Sequence, residues 1–198
     1  MSWSGPFRYP GMVRFSVPGD GSCLIHSLLL AYDQSYRLER QNGRSVSRKD
    51  LASKFRQELA NLLAAPIDTL DPTSPRYYDV IARGSLPTMS NEYPDYTLEN
   101  MQRTLANSKE CLDYMYLEFI SDAIDKDIYI LDGEKMDLLL TGEEDLYQKG
   151  RPSIVLHYYR NHYELVGIMN NEGVVRTLFH PEDDFIRQLK IRQAHISR

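Results

Sequence analysis

One cysteine stands where chemistry would put it. Gly19-Asp20-Gly21-Ser22 is a turn, and Cys23 follows it directly. Leu24, Ile25, Leu28, Leu29 and Tyr32 then recur at helical spacing, so Cys23 begins a helix that runs to about Asp33. A helix N-terminus carries roughly half a positive charge and leaves N–H groups without partners. Both features favour a thiolate. The same N–H groups could hold an oxyanion on an attacked carbonyl. Gly19 and Gly21 would let the backbone turn tightly, and Asp20 is suited to accept N–H bonds and shape the loop.

A cysteine nucleophile also needs a base, usually a histidine. The candidates are His26, His157, His162, His180 and His195. His26 is tied to the same helix, His157 lies inside a strand, and His180 and His195 flank the last helix. His162 is best placed, at the edge of a tight hairpin. Glu164 is two residues on and shares its strand face, where a carboxylate can orient the ring. Simpler readings exist. A cysteine at the start of an apolar helix is more often a small core residue, and His162 can be a packed hairpin histidine. His157, His162 and Glu164 suggest a metal site as well, but no helical or finger spacing supports one.

The surrounding elements read as helices first and sheet second. Met12 to Val17 alternates like a strand. "RLERQNGRS" reads as a polar loop. Ser47 caps an amphipathic helix through "RKDLASKFRQELANLLAA", with Leu51, Phe55, Leu59, Leu62 and Leu63 as its stripe. Prolines 66, 72, 75, 87 and 94 make the stretch from Pro66 to about Tyr96 a loop-rich insertion, with a short helix from Arg76 to Ala82. Thr97 caps a helix to about Ala106, and Ser108 caps another through "KECLDYMYLEFISDAI". "DIYILD" is a strand, followed by an acidic excursion with turns. "SIVLHYY" and "YELVGIM" form a hairpin about Arg160-Asn161, and "GVVRTLF" is a fourth strand or part-strand. Pro181 opens a final helix, 181–196, with acids first and Lys190 and Arg192 later, the order that suits the dipole. The class is α+β, a small, mostly antiparallel sheet packed between helices in one domain over 1–198.

Bulk composition narrows the setting. The 198 residues are 42% hydrophobic and 26% charged, ordinary for a globular domain. The formal net charge of −5 argues against nucleic acid as partner. No apolar run approaches a membrane span, and "MSWSGPFRYPGMVRF" has no signal-peptide core. Two cysteines, Cys23 and Cys111, make no disulfide framework, which fits a reducing, cytoplasmic compartment.

Taken together, three blocks resemble the ovarian tumour (OTU) family of cysteine proteases. "GDGSCL" resembles that family's nucleophile box, usually G-D-G-N-C-L. "SIVLHYYRNHYELV" looks like its histidine hairpin, and "CLDYMYLEFISDAIDKDIYILD" resembles the helix and strand between them. The blocks span about residues 12 to 168 in the family's order; the stretch from Pro66 to Pro94 matches nothing in it. The resemblance implies a deubiquitinase that hydrolyses the isopeptide or peptide bond after ubiquitin's last glycine, through a thioester, with no metal or cofactor. Cys23 would be nucleophile, His162 general base, Asp20 the loop-shaping aspartate, and Gly21, Ser22 and Cys23 the oxyanion loop. Ser22 stands where asparagine is usual, and Glu164 where asparagine or aspartate is usual. The third role thus falls to Glu164, to Asn161 or Asp20 supporting the ring, or to none. Asn161 is also a candidate substrate contact.

The implied partners are ubiquitin or polyubiquitin chains, with ubiquitin-like modifiers as further candidates, and a monomer is expected. The acidic segment Asp132 to Asp145 and the pairs Tyr77/Tyr78 and Tyr93/Tyr96 are candidates for ubiquitin's arginine-bearing tail. Each has a plainer reading as a solvated loop or packed aromatic. The compact size and atypical box are similar to divergent viral members, for which the compartment would be the host cytoplasm. The competing function is a non-catalytic ubiquitin-binding module that keeps the fold.

Overall fold

Alternation along the strands decides the layering. In a computed structural model, residues 3–71, 73–84, 86–87 and 95–197 are described. Strand β4 (Asp127–Asp132) is buried along its whole length, so both of its faces need cover. Ile128 and Ile130 point into one core with α1 (Cys23–Tyr32), α3 (Arg48–Ala64) and the central helices. Tyr129 and Leu131 point into a second core with Phe185, Ile186 and Leu189. Those three belong to the last helix, α8 (Asp184–Ile196), which therefore packs on the sheet with that face.

The sheet order is β1-β7-β6-β4-β5, with β8 also paired to β7. The strands are β1 (Met12–Phe15), β5 (Asp137–Leu138), β6 (Ser153–Tyr159), β7 (His162–Met169) and β8 (Val175–Arg176). All pairings are antiparallel except β4 with β6. The α+β layout and the mostly antiparallel sheet between helices are thus as the sequence predicts.

Several local expectations are corrected. The polar loop after α1 holds a short helix, α2 (Gln34–Leu38), and a hairpin of β2 (Arg40–Gln41) and β3 (Arg44–Ser45). Asn42 and Gly43 both take positive φ there, the hairpin-turn conformation that an Asn-Gly pair favours. The helix expected from Ser108 starts later. Asp113 accepts the Met115 N–H at 2.9 Å and opens a 3₁₀ turn, Tyr114–Tyr116, that runs into α6 (Leu117–Ile124). Ser108 instead uses its carbonyl to receive the Ser22 hydroxyl at 3.0 Å. The last helix begins at Asp184, because Asp183 accepts the Phe185 N–H at 3.1 Å and so caps it beyond Pro181. The part-strand after Gly173 is reduced to β8 and a bridge between Ser153 and Phe179.

Elsewhere the expectations stand. Ser47 caps α3 and Thr97 caps α5 (Leu98–Ala106) through N–H bonds of 3.1 and 3.2 Å. The short helix expected between Arg76 and Ala82 is α4 (Tyr77–Ile81), and Ile81 and Leu86 are buried in the first core. The acidic excursion is folded rather than loose: α7 (Glu144–Tyr147) places Tyr147 in that core as well. Pro72, Tyr93 and Pro94 lie outside the described residues.

Candidate active site

Cys23 is the first residue of α1, as the Gly-Asp-Gly turn predicts, and is 4% exposed. Asp20 builds the turn before it. Its Oδ1 accepts the Ser22 N–H at 2.9 Å, and its backbone carbonyl accepts the Cys23 N–H at 3.3 Å. Its Oδ2 faces His26 Nε2 at 3.3 Å, and His26 Nδ1 meets the Tyr36 hydroxyl at 2.7 Å. His26, fully buried, is thus the post that holds Asp20, a role its place in the same helix concealed. Gly21 is required by space: a Cβ there would lie 2.2 Å from the Lys109 carbonyl carbon. Gly19 meets no such obstacle, so the tight approach expected of both glycines belongs to Gly21 alone.

A second anchor went unread in the sequence. Arg56, on the buried face of α3, donates from Nη1 to the Gly21 carbonyl at 2.7 Å and to Ser22 Oγ at 3.2 Å. An arginine within an apolar stripe reads as a boundary residue, and no local signal places it in the core.

The thiol does not behave as a helix N-terminus alone would dictate. Burial pushes Cys23 above its ordinary value, and backbone N–H groups of Tyr163 and Leu24 pull the other way without winning. Desolvation outweighs the dipole because the sulfur is almost wholly enclosed. Cys111 is exposed, and both cysteines are free thiols.

Helix α1 packs on β7, the strand that His162 opens. Ser27, one turn further along α1, donates to the Tyr163 carbonyl at 3.3 Å and fixes that seating. The preceding turn has positive φ at both Arg160 and Asn161, the tight hairpin the sequence predicts. Tyr163 packs in the α1-side core, whereas Val166 packs in the α8-side core. By alternation His162 and Glu164 share Val166's face. His162 therefore stands on the face away from the α1-side core, at the first position of the strand. Among the described residues no hydrogen bond joins Cys23 to His162.

Glu164 is the carboxylate beside His162, with Oε1 3.8 Å from His162 Nε2. It is held from β1 and the residue after it: Ser16 donates to Oε1 at 3.0 Å, and Arg14 Nε pairs with Oε2 at 2.8 Å. His157, its register partner on β6, has Nδ1 3.8 Å from Oε2 and makes no hydrogen bond there. Burial, with Arg14 next, holds His157 below its ordinary value. The other candidates for the third role face elsewhere: Asn161 accepts the Tyr158 hydroxyl at 2.7 Å, and Asp20 faces His26. His180 lies exposed before α8, and His195 exposed in its last turn. Among the described residues no cluster of three or more His, Cys, Asp or Glu side chains is arranged to hold a metal.

Beside the hairpin turn, Asp132, Glu134, Tyr158, Tyr159, Arg160 and Asn161 line a cleft of about 390 Å³. It takes in the front of the acidic segment. Tyr77 packs edge-on against Phe119, and Tyr96 donates to Asp113 at 2.6 Å, so these two are largely structural.

No protein-family model and no curated protein matches the sequence. Solved structures do. The chain is similar to an ovarian tumour (OTU) domain solved in complex with ubiquitin, at TM-score 0.50 and 15% identity over 94% of this chain and 84% of that one. A viral OTU domain protease from Taggert virus matches at TM-score 0.46 and 17% identity, over 81% of each chain. An OTU deubiquitinase from Wolbachia pipientis wMel matches at 0.44 and 13%, over 92% of this chain and 98% of that one. The first of these, with the box at Cys23 and the hairpin at His162 falling where the sheet and α1 meet, fixes the architecture: the chain has the fold of the OTU domains.

Proposed function

We propose that the protein is a thiol-dependent hydrolase that cleaves the peptide or isopeptide bond after the C-terminal glycine of ubiquitin. One observation carries the reading. Helix α1 begins at Cys23 and is seated on the start of β7, the strand that His162 opens, where Ser27 Oγ donates to the Tyr163 carbonyl at 3.3 Å. Nucleophile and base candidates, 139 positions apart in the sequence, thus converge on one strand end.

In this mechanism Cys23 is a neutral thiol until substrate arrives. His162 Nε2 faces Glu164, which leaves Nδ1 to take the thiol proton. The sulfur attacks the glycine carbonyl. The Cys23 N–H exchanges its long 3.3 Å bond to the Asp20 carbonyl for the developing oxyanion. The Ser22 N–H stays bound by Asp20, so it shapes the loop rather than serving as a donor to the oxyanion. The imidazolium, stabilised by Glu164, protonates the departing amine. Water, activated by His162, then releases ubiquitin from the thioester. Asp20 acts by position, and no step calls for a metal or cofactor.

The cleft at Asp132 and Glu134 suits the arginines of ubiquitin's tail, with Asn161 at its rim. Chains of ubiquitin and ubiquitin-like modifiers are the substrates to compare, with the protein acting as a monomer in the cytoplasm. The test is hydrolysis of di-ubiquitin by the parent protein and by Cys23→Ala and His162→Ala variants, both of which should be inactive.

A second reading has its own support. Enclosure of the thiol and the missing Cys23–His162 hydrogen bond favour a module that binds ubiquitin without cleaving it. Binding with no turnover in the parent protein would select it.

A further inference from the structure

Arg56 is fully buried, yet among the described residues no carboxylate pairs with it. Its partners are oxygens of the backbone and one hydroxyl. Nε donates to the Leu105 carbonyl at 2.8 Å, and Nη2 to the Thr104 carbonyl. These belong to the last turn of α5, where helix carbonyls lack partners and the dipole is negative. Nη1 donates to the Gly21 carbonyl at 2.7 Å, the Glu110 carbonyl at 2.9 Å and Ser22 Oγ at 3.2 Å. One guanidinium therefore joins α3, the end of α5, the segment after it and the two residues before the nucleophile. Burying an unpaired cation is costly, and a purely structural position would be served as well by an apolar side chain.

The geometry at Gly21 gives the charge a use. In a trans peptide the C=O and the following N–H point in opposite directions. Arg56 holds the Gly21 carbonyl, and Asp20 Oδ1 holds the Ser22 N–H at 2.9 Å. The Gly21–Ser22 peptide plane is gripped at both ends. Ser22 is gripped again through its hydroxyl, which accepts from Arg56 and donates to the Ser108 carbonyl. A glycine peptide next to a nucleophile flips readily when nothing holds it. The small serine before Cys23 also gains a reason: its hydroxyl bridges the guanidinium and a carbonyl in a space that Gly21 already shares closely with Lys109.

We propose that Arg56 is a positioning residue for the nucleophile loop: it locks the Gly21–Ser22 peptide, and thereby sets where the Cys23 sulfur and N–H stand during turnover. The inference rests on the thiol-hydrolase reading for its catalytic half and on geometry alone for its structural half. Arg56→Met removes the donors and keeps much of the volume. Arg56→Lys keeps the charge and only some of the bonds, and should fall between.

The test reads two quantities in variants whose circular dichroism matches the parent. One is amide exchange at Ser22, followed by NMR in ¹⁵N-labelled protein. The other is kcat and KM on ubiquitin bearing a C-terminal fluorogenic amide. For Arg56→Met the expectation is exchange at least about tenfold faster, and kcat lowered about 30-fold with KM within about twofold. If that variant does not fold, Arg56→Lys decides on the same two readouts, with smaller changes of the same sign. Unchanged Ser22 exchange in a folded variant overturns the proposal, and so does a loss carried by KM. If the parent protein turns over no ubiquitin, the hydrolase reading fails and the catalytic half of the proposal with it, while Ser22 exchange still decides the clamp.

Discussion

Glu164 lies with one carboxylate oxygen 3.8 Å from His162 Nε2 and the other 3.8 Å from His157 Nδ1. One acid thus lies between two imidazoles, while Arg14 of β1 and Ser16, the residue after that strand, hold it in place.

Replacing that acid should weaken catalysis more than folding. Glu164→Gln keeps the shape and loses the charge that steadies a developing imidazolium. Expected is a fall in kcat of about ten- to a hundredfold with KM nearly unchanged. Steady-state kinetics on a fluorogenic ubiquitin substrate checks it. Unchanged kcat would move the third role away from Glu164.

The enclosed thiol sets a pH signature. Burial raises Cys23 above its ordinary 9.0, so the thiolate becomes abundant only at higher pH. Alkylation of Cys23 by iodoacetamide should therefore accelerate steadily with rising pH, its midpoint above that value. A midpoint below neutrality would mean that a preformed thiolate–imidazolium pair prevails.

Gly21→Ala should destabilise the fold. Its Cβ would press on backbone at Lys109, which cannot swing aside as a side chain can. A loss of about 2 kcal/mol is expected from such overpacking, read as a lower urea midpoint. Gly19→Ala, with nothing near its Cβ, should leave the midpoint almost where it was.

Two buried histidines predict acid sensitivity. Burial holds both His26 and His157 below their ordinary 6.5. A lowered folded-state value means that the unfolded chain protonates first. The contribution is therefore complete above 6.5 and is lost as pH falls from there through the folded-state values. The urea midpoint should drop as pH falls below 6.5, and His157→Gln should shallow that drop. A flat profile in the parent protein contradicts the assignment.

The cleft beside the hairpin makes a separable prediction. Glu134→Lys reverses an exposed charge there and should raise KM for ubiquitin substrates about fivefold at low salt, less at high salt, with kcat retained. A kcat effect would place Glu134 in the chemistry instead.

What could be read in the sequence was whatever is local. The Gly-Asp-Gly turn, the helix from Cys23, the Ser47 and Thr97 caps and the Arg160-Asn161 hairpin each carry their signal within a few residues, and each is present. The Asn42-Gly43 hairpin carried one too, lost among the polar residues around it. Long-range supports left no local trace. Arg56 lies 33 positions from Cys23, and Arg14 150 positions from Glu164; no periodicity links them. The late start of the helix at Tyr114 has the same cause, since the preceding segment is used to pack on Gly21. The thiol's raised value follows from enclosure, a property of the assembled fold.

The most direct test of the central claim is labelling with ubiquitin whose C-terminus carries a cysteine-reactive warhead, applied to the parent protein and to Cys23→Ala and His162→Ala variants. The account predicts a single covalent adduct on the parent protein, none on Cys23→Ala, and loss of di-ubiquitin cleavage in His162→Ala. A parent protein that binds ubiquitin yet forms no adduct would contradict it, and would leave a binding module in the place of an enzyme.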